Sequence, residues 1–422
     1  MDTIYALSSG RPTAAIAVVR VSGPAAFDTI QRLTGPLPSA RRATLRTLRD
    51  GDGAVLDRAL VLVFPGPATA TGEDLAELHL HGGRAVVEAV LRTLATQPGL
   101  RAATGGEFTR RALHHGRIDL SQAQGLADLL EAETEGARRA ALAATEGVLS
   151  RLVGMWLDRL SGIAALVEAS LDHADEDDVT EDAITRARAE GRSLREEMEA
   201  ALSRPSVERL RDGALVVIAG PTNAGKSSLF NVMLGRDAAI VTPIAGTTRD
   251  VLEAAVIRDG IPFRLVDTAG LARETQDPVE AIGVARADHL VSHADTVLWL
   301  GPPEAAPPRS LPIHALADIR PPAPDGSVPV SVMEDESIEV LWQMVTRRHA
   351  ASASFDQAHF HERQRASLIT AASEIETFDR SSDPLIGAEH LRRAHRQLAS
   401  LLGLDATEAM LDALFSRFCI GK

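Results

Sequence analysis

Eight residues constrain this chain more than any other stretch. Gly220-Pro221-Thr222-Asn223-Ala224-Gly225-Lys226-Ser227 leave an apolar run, LVVIAG (215–220), and enter SSLFNVML (227–234). The spacing G-x-x-x-x-G-K-[ST] between a strand and a helix is that of a phosphate-cradling P-loop. Its glycines let backbone N–H groups approach phosphate oxygens, and the helix N-terminus adds a favourable dipole. Lys226 can then reach the β- and γ-phosphates, and Ser227 can ligate magnesium. Composition sharpens the point, because the 44 basic residues include only two lysines, Lys226 and Lys422. Lysine is a slim point charge on a flexible stem, whereas arginine is planar and bulky, so a site that needs the slim cation keeps it.

The segments that follow predict an α/β layer. FRLVDTAG (263–270), a helical stretch near 279–293 and TVLWL (296–300) continue the strand–helix alternation of a parallel sheet with crossover helices. The proline-rich stretch 301–329 reads as loops around one short strand. Asp267, at the end of its apolar run, can hold magnesium through water, and the Gly270 N–H can sense a γ-phosphate. Thr248, in Gly246-Thr247-Thr248-Arg249-Asp250, is a second candidate magnesium ligand once its loop orders. In this order the motifs form a GTPase signature. Leu271 stands where a Ras-like enzyme has its water-orienting glutamine, and no residue is an obvious arginine finger, with Arg249 and Arg273 left as candidates. The guanine-reading N-K-x-D is degenerate. After a strand at Leu311–Ile313 the corresponding residues are Ala315-Leu316-Ala317-Asp318, which keep only the carboxylate that accepts from guanine N1–H and the 2-amino group. Ser331-Val332 occupies the place of the later base-contacting loop.

The flanks have a different character. Residues 1–117 read as an α+β domain, with strands at Ile16–Val21, Ala59–Phe64 and Leu78–Leu80 and a helix over 85–95. Residues 118–210 and 353–422 read as one discontinuous helical domain, into which the Ras-like α/β domain 211–352 is inserted. Asp175-Glu176-Asp177-Asp178 reads as a solvated loop, and Asp405 with Glu408 as a capping box. His79 with His81, and His114 with His115, lack the cysteine or acidic pattern that completes a metal site. The net charge of −14 argues against a broad nucleic-acid grip by this chain alone, so a partner is expected to supply most of the basic surface for any RNA. One cysteine, Cys419, allows no internal disulfide. The absence of a roughly 20-residue apolar span or a signal-like start points to the cytoplasm.

Several longer motifs carry a family resemblance: RVSG (20–23), FPGPATATGEDLAELHLHGG (64–83), GGEFTRRA (105–112), IDLSQAQGLADL (118–129), IVTPIAGTTRDV (240–251) and FCIGK (418–422). With the P-loop and DTAG, they make the chain similar over essentially its whole length to the MnmE (TrmE) family of tRNA-uridine modification GTPases. The resemblance implies a potassium-dependent GTPase, with Asn223, Thr242, Ile244 and Thr247 around the potassium ion and Ser227 and Thr248 on magnesium. A cation there takes the place of the arginine finger. Glu280, in Val-Glu-Ala-Ile-Gly, matches the family's water-orienting glutamate. The implied GTP contacts run through Asn223, Ala224, Gly225, Lys226, Ser227 and Ser228, then Thr242, Pro243, Ile244, Ala245, Gly246, Thr247 and Thr248. They continue through Asp267, Thr268, Ala269 and Gly270 to Asp318, Ser331 and Val332.

The resemblance also implies that the N-terminal domain forms a homodimer and binds a tetrahydrofolate derivative (5,10-methylene- or 5-formyl-), with Arg20, Glu77, Arg117 and Lys422 as contacts. Arg117 stands where lysine also occurs in relatives. Cys419 is a candidate reactive thiol beside that tail. A flavin-dependent partner, MnmG (GidA), would bring FAD and NADH, bind most of the tRNA and complete a heterotetramer. Together they would add a carboxymethylaminomethyl or aminomethyl group at C5 of the wobble uridine, U34. Two other readings stand beside it: a GTPase switch in ribosome assembly without modification chemistry, and a degenerate G domain that only scaffolds. The acidic balance and FCIGK weigh against the first, and intact Lys226, Ser227, Asp267 and Glu280 against the second.

Overall fold

The computed structural model describes residues 2–172, 177–235, 252–268, 288–315, 317–318, 326–350, 357–404, 408–416, 418 and 420–421. They fall into two compact units, one made of 1–127, 145–154 and 398–422, the other of 128–144 and 155–397.

The first unit begins with β1 (Thr3–Leu7), β2 (Ile16–Ser22), α1 (Ala26–Thr34), β3 (Thr44–Arg49), β4 (Val55–Phe64), β5 (Leu75–His81), α2 (Arg84–Ala95), β6 (Leu100–Ala102) and α3 (Glu107–His114). The strands form one sheet in the order β3-β4-β5-β2-β1-β6, antiparallel except for the parallel β1–β6 pair. Alternation along β4 buries Ala59, Val61 and Val63 on one face. Against that face α1 packs Ala26, Ile30 and Leu33, and α2 packs Val87, Val90 and Leu94, the spacing of an amphipathic helix. On the other face Ile16, Leu45 and Leu60 stay exposed.

Helices follow: α4 (Leu120–Glu131), α5 (Glu135–Thr145), α6 (Val148–Asp172), α7 (Asp177–Leu202) and α8 (Val207–Asp212). Asp177 and Asp178, expected in a loop, instead open α7. Asp175, Glu176 and Asp405 lie outside the described residues. Next come β7 (Ala214–Ala219), α9 (Lys226–Leu234), β8 (Leu252–Arg258), β9 (Ile261–Asp267), β10 (Thr296–Trp299), β11 (Ser310–Ala315), β12 (Val328–Val330) and α10 (Asp335–Ala350), then α11 (Glu362–Arg380), α12 (Pro384–Leu401) and α13 (Glu408–Phe415).

The second sheet has the order β12-β11-β10-β7-β9-β8, parallel but for the β8–β9 hairpin at its edge. Asp259 and Gly260 turn that hairpin with positive φ, 51° and 77°, as a two-residue turn requires. All six residues of β7 are buried, which is why its sequence is continuously apolar instead of alternating. Val216 and Ile218 face one core with Phe263 and Trp342, while Leu215 and Val217 face the other with Val266 and Val297. Trp342 also donates its indole N–H to Met233 O at 3.2 Å. Ala315, the first residue of the degenerate guanine motif, is a buried strand residue at the end of β11.

One polar node within the second unit joins Asp128, Glu208 and His361. His361 caps α11 and reaches Asp128 Oδ2 of α4 at 2.8 Å and Glu208 Oε1 of α8 at 2.9 Å. Glu208 Oε2 also accepts the Glu362 N–H at 3.1 Å. Burial alone would lower the His361 pKa, but the Asp128 and Glu208 hydrogen bonds raise it from 6.5 to about 9. Burial would raise Glu208, yet the His361 bond and local N–H donors bring it from 4.5 to about 2. A raised imidazolium stabilises the fold fully below its unfolded value and loses that contribution as pH climbs through the folded one. The carboxylate contributes above its unfolded value and loses this as pH falls through its folded one. The node is therefore strongest between pH 4.5 and 6.5. Removing one member of a buried pair costs about 3–5 kcal/mol. In urea titrations, His361→Ala should lower unfolding free energy by about 3 kcal/mol at pH 6 and erase the decline of the wild type between pH 6.5 and 9. A wild type equally stable at both pH values would exclude a charged His361.

Candidate functional site

The parallel strands of the second sheet deliver their C-terminal ends to one edge, where ligands of open α/β sheets bind. The P-loop leaves β7 there, Asp267 ends β9, Asp318 follows β11 and Ser331 follows β12. Gly220 takes φ +149°, and a Cβ on it would stand 3.1 Å from the Leu300 backbone. Asn223 and Gly225 also take positive φ, 62° and 98°. Gly225 is the N-cap of α9, with no side chain between its N–H and an incoming anion. Positive φ at all three positions gives the loop the tight curl that an anion cradle requires.

Lys226 is 7% exposed and its Nζ donates to Gly220 O at 3.0 Å and Pro221 O at 2.7 Å. Burial lowers its pKa, opposed by the Asp267 charge. Ser227 Oγ donates to Asp267 Oδ2 at 2.7 Å, and Asp267 is fully buried. A hydroxyl and a carboxylate oxygen held this close beside a phosphate cradle are hard oxygen donors of the kind magnesium uses. Thr268 Oγ1 donates to Ile218 O at 2.9 Å, tying the residue after Asp267 to β7. Ala224 is buried and Ser228 follows on the first turn of α9.

At the end of the degenerate motif, Asp318 is exposed, and the Ala317 N–H donates to Val330 O at 3.2 Å, holding that end beside β12. Ser331 is buried. Its N–H donates to Ser337 Oγ at 3.0 Å, and its Oγ accepts the Met333 N–H at 3.2 Å. Val332 is partly buried. The sequence does not single out the bracing Ser337, since a lone serine before a helix carries no signal of its own. Thr242, Pro243, Ile244, Ala245, Gly246, Thr247, Thr248, Arg249, Ala269, Gly270, Leu271, Arg273, Glu280 and Leu316 lie outside the described residues.

In the first unit, β2 and β5 place Arg20 directly opposite Glu77. Arg20 Nη2 and Nε donate to Glu77 Oε1 at 2.8 and 3.2 Å, and the guanidinium carbon lies 5.8 Å from the Phe108 ring centroid. His79 reaches Glu77 Oε2 at 3.2 Å. Burial would raise the Glu77 pKa, but Arg20 and His79 hold it below its ordinary value. Arg117 has an anchor of its own, its Nε donating to Thr69 O at 3.1 Å. His81 pairs with Asp57 at 2.7 Å and His115 with Thr71 O at 2.7 Å. Among the described residues no cluster of three or more metal-ligating side chains forms. Phe108 is a neighbour of the pair that the sequence did not single out, whereas His79, weighed there with His81 only as a metal ligand, joins Glu77 instead.

Cys419 and Lys422 lie outside the described residues, but the tail around them is pinned. Ile420 bridges Gly105, and Gly421, buried at φ +99°, lies so close to Leu7 O that a Cβ would overlap it. Only glycine fits there. Leu7 pairs with Val19, beside Arg20 on β2. Among the described residues, no helix is long and apolar enough to cross a membrane.

Comparison with known proteins agrees with these features. Residues 3–117 match the model described as GTP-binding protein TrmE N-terminus, and residues 120–419 match the MnmE helical domain. The tRNA modification GTPase MnmE of Erythrobacter litoralis is 51% identical over 426 residues, covering both chains completely. Its counterpart in Rhizorhabdus wittichii is 52% identical over all of this chain and 97% of its own, and that of Novosphingobium aromaticivorans 49% identical over both full lengths. Among solved structures, the G domain of the T. maritima FeoB iron transporter covers 32% of this chain at 23% identity and a TM-score of 0.26, too slight a likeness to add to the sheet order above. Kinship that runs from end to end, over both matched segments, places this chain in the MnmE family of tRNA modification GTPases.

Proposed function

We propose that this GTPase is potassium-dependent and works with a flavin-bearing MnmG (GidA) partner to add an aminomethyl-type group at C5 of the wobble uridine, U34. The observation that carries the GTPase core is the Ser227–Asp267 contact beside a buried Lys226 at the open end of β7. Asn223, held at φ 62° inside the P-loop, carries an exposed side-chain amide whose oxygen suits a cation. Thr242, Ile244 and Thr247 would complete the potassium site, Ser227 and Thr248 the magnesium site, and Glu280 would orient water. Potassium would neutralise charge developing on the γ-phosphate. Asp318, exposed at the end of its motif, would read guanine. In domain terms the reading assigns 1–117 to folate binding and dimerisation, 118–210 with 353–422 to a helical domain, and 211–352 to the G domain.

The folate site rests on Arg20 and Glu77. A carboxylate held ionised by Arg20 can accept from pterin N–H donors, the Phe108 ring offers an apolar surface, and Arg117 and Lys422 suit glutamyl carboxylates. A tetrahydrofolate would supply the one-carbon unit. Ile16, Leu45 and Leu60, exposed on the part of the sheet face that Phe108 of α3 leaves open, support a homodimer through this domain. FAD, NADH and most of the tRNA contacts belong to the partner, consistent with the net charge of −14. No bilayer-spanning segment is needed for such a cytoplasmic role. Cys419, adjoining the pinned tail, is the candidate reactive thiol.

Three outcomes test this reading. An arginine finger is worth roughly 10³–10⁵ in rate, so GTP turnover in KCl should exceed that in NaCl by well over tenfold, and equal rates in the two salts would sink the potassium site. Removing Gly421 and Lys422 should weaken formyl-tetrahydrofolate binding in equilibrium dialysis while GTP hydrolysis persists; unchanged folate affinity would remove Lys422 from the site. A charge-assisted hydrogen bond is worth about 1.5–3 kcal/mol, so Asp318→Ala should lower GTP affinity roughly ten- to a hundredfold, and Asp318→Asn should shift preference toward xanthine nucleotide. Titrations of fluorescent GDP and XDP that show neither change would place guanine reading elsewhere.

A further inference from the structure

The opposite edge of the second sheet, where β7, β9, β10 and β11 begin, encloses a cavity of about 320 Å³. Leu210, Ala214, Ile261 and Pro262 supply apolar wall, and Arg209, Arg309 and Arg348 converge on it with one carboxylate, Asp295. That carboxylate is already committed. Its Oδ2 accepts the Leu215 N–H at 2.9 Å and Arg209 Nε at 3.0 Å. Among the described residues Arg309 and Arg348 have no hydrogen bond or ion pair from their guanidinium groups. The excess charge is felt locally. Burial lowers the Arg209 pKa, with Arg309 and Arg365 lowering it further, and burial lowers His349, helped by Arg209 and Arg348.

Arg348 has a partial structural reason to be there, because the last turn of α10 favours cations by about 0.3–1 kcal/mol. Arg309 has none. It sits on a loop at φ 63°, a left-handed conformation that a long side chain seldom takes, just before β11. A chain with net charge −14 therefore gathers two solvent-exposed guanidinium groups without a protein partner at one concave site.

We propose that this cavity binds a phosphate group between Arg309 and Arg348. Guanidinium forks match phosphate oxygens in pairs, as an ammonium cannot, and a volume at the lower end of small-ligand pockets leaves room for the group the phosphate is attached to. The phosphate comes either from a small phosphorylated molecule or from an RNA backbone, the second source resting on the tRNA-modification reading. The site is separate from the P-loop, since it lies at the other end of the same strands.

The test uses the full-length protein saturated with GDP and magnesium, so that the P-loop takes no added phosphate. The variant Arg309→Asn/Arg348→Gln removes both charges, asparagine being tolerant of the left-handed backbone. Arg309→Lys/Arg348→Lys keeps them. In one arm, pyrophosphate should raise the melting temperature of wild type and not of the Asn/Gln variant. In the other, anisotropy of a labelled tRNA transcript across a salt series should show about tenfold weaker binding by that variant. The log–log salt slope should also fall by about 0.9 for each phosphate that is no longer neutralised. The Lys/Lys variant should retain part of either effect, and GTP hydrolysis by all three proteins should match, confirming intact folding. A change in the pyrophosphate arm alone assigns a small phosphorylated ligand, and a change in the tRNA arm assigns an RNA backbone. No difference between wild type and the Asn/Gln variant in either arm overturns the site. Loss of the potassium response or of the Asp318 effect would instead count against the GTPase reading and leave this result standing.

Discussion

The pairing of β7 with β9 is the contact on which the nucleotide edge depends. In that register Ile218 stands opposite Asp267, and three separate features follow. Asp267 comes to rest 2.7 Å from Ser227 Oγ, Thr268 ties back to Ile218 O, and the P-loop emerges beside Leu300. A slip of one residue would send Asp267 to the opposite face of the sheet. The register is held by burial on both faces, since Val216 and Ile218 are locked into one core and Leu215 and Val217 into the other. A strand apolar on only one face would have a single core to resist such a slip.

Opposite charges pair across strands in both sheets, Arg20 with Glu77 at 2.8 Å in the first and Arg264 with Glu253 at 3.2 Å in the second. At the Arg20–Glu77 pair the carboxylate is held below its ordinary pKa while still partly open to solvent, so the fold carries no unpaired buried charge there. The second unit leaves cations in place at both ends of its sheet. Lys226 rests on two carbonyl oxygens at one end, and Arg309 and Arg348 stand without a protein partner among the described residues at the other. Carbonyls orient an ammonium without cancelling its charge, which suits a group whose task is to meet phosphate.

Much of this is legible in the residues alone. The P-loop, DTAG and the strand–helix alternation are local patterns, and each maps onto a strand end whose position follows from the parallel-sheet rule. The apolar run LVVIAG announces a central strand because only a strand covered on both faces tolerates such a run. The helices around 85–95 and 120–171 are visible from their spacing. The acidic start of α7 reads wrongly as a loop because a run of carboxylates is both a solvated segment and a good helix N-terminus, and composition does not separate the two.

By itself the sequence determined the chemistry available at the nucleotide edge and the family, since eight contiguous residues form the cradle and the longer motifs extend along the whole chain. Only the tertiary structure decided which distant side chains meet. His361 lies 233 residues from Asp128 and 153 from Glu208, and Arg309, before β11, lines one cavity with Arg209 and Arg348. Motifs record short-range backbone geometry, which repeats from protein to protein. Pairings across such separations depend on how helices and sheet edges pack, and a histidine or an arginine in sequence looks the same whether it will face water, a carboxylate or another arginine.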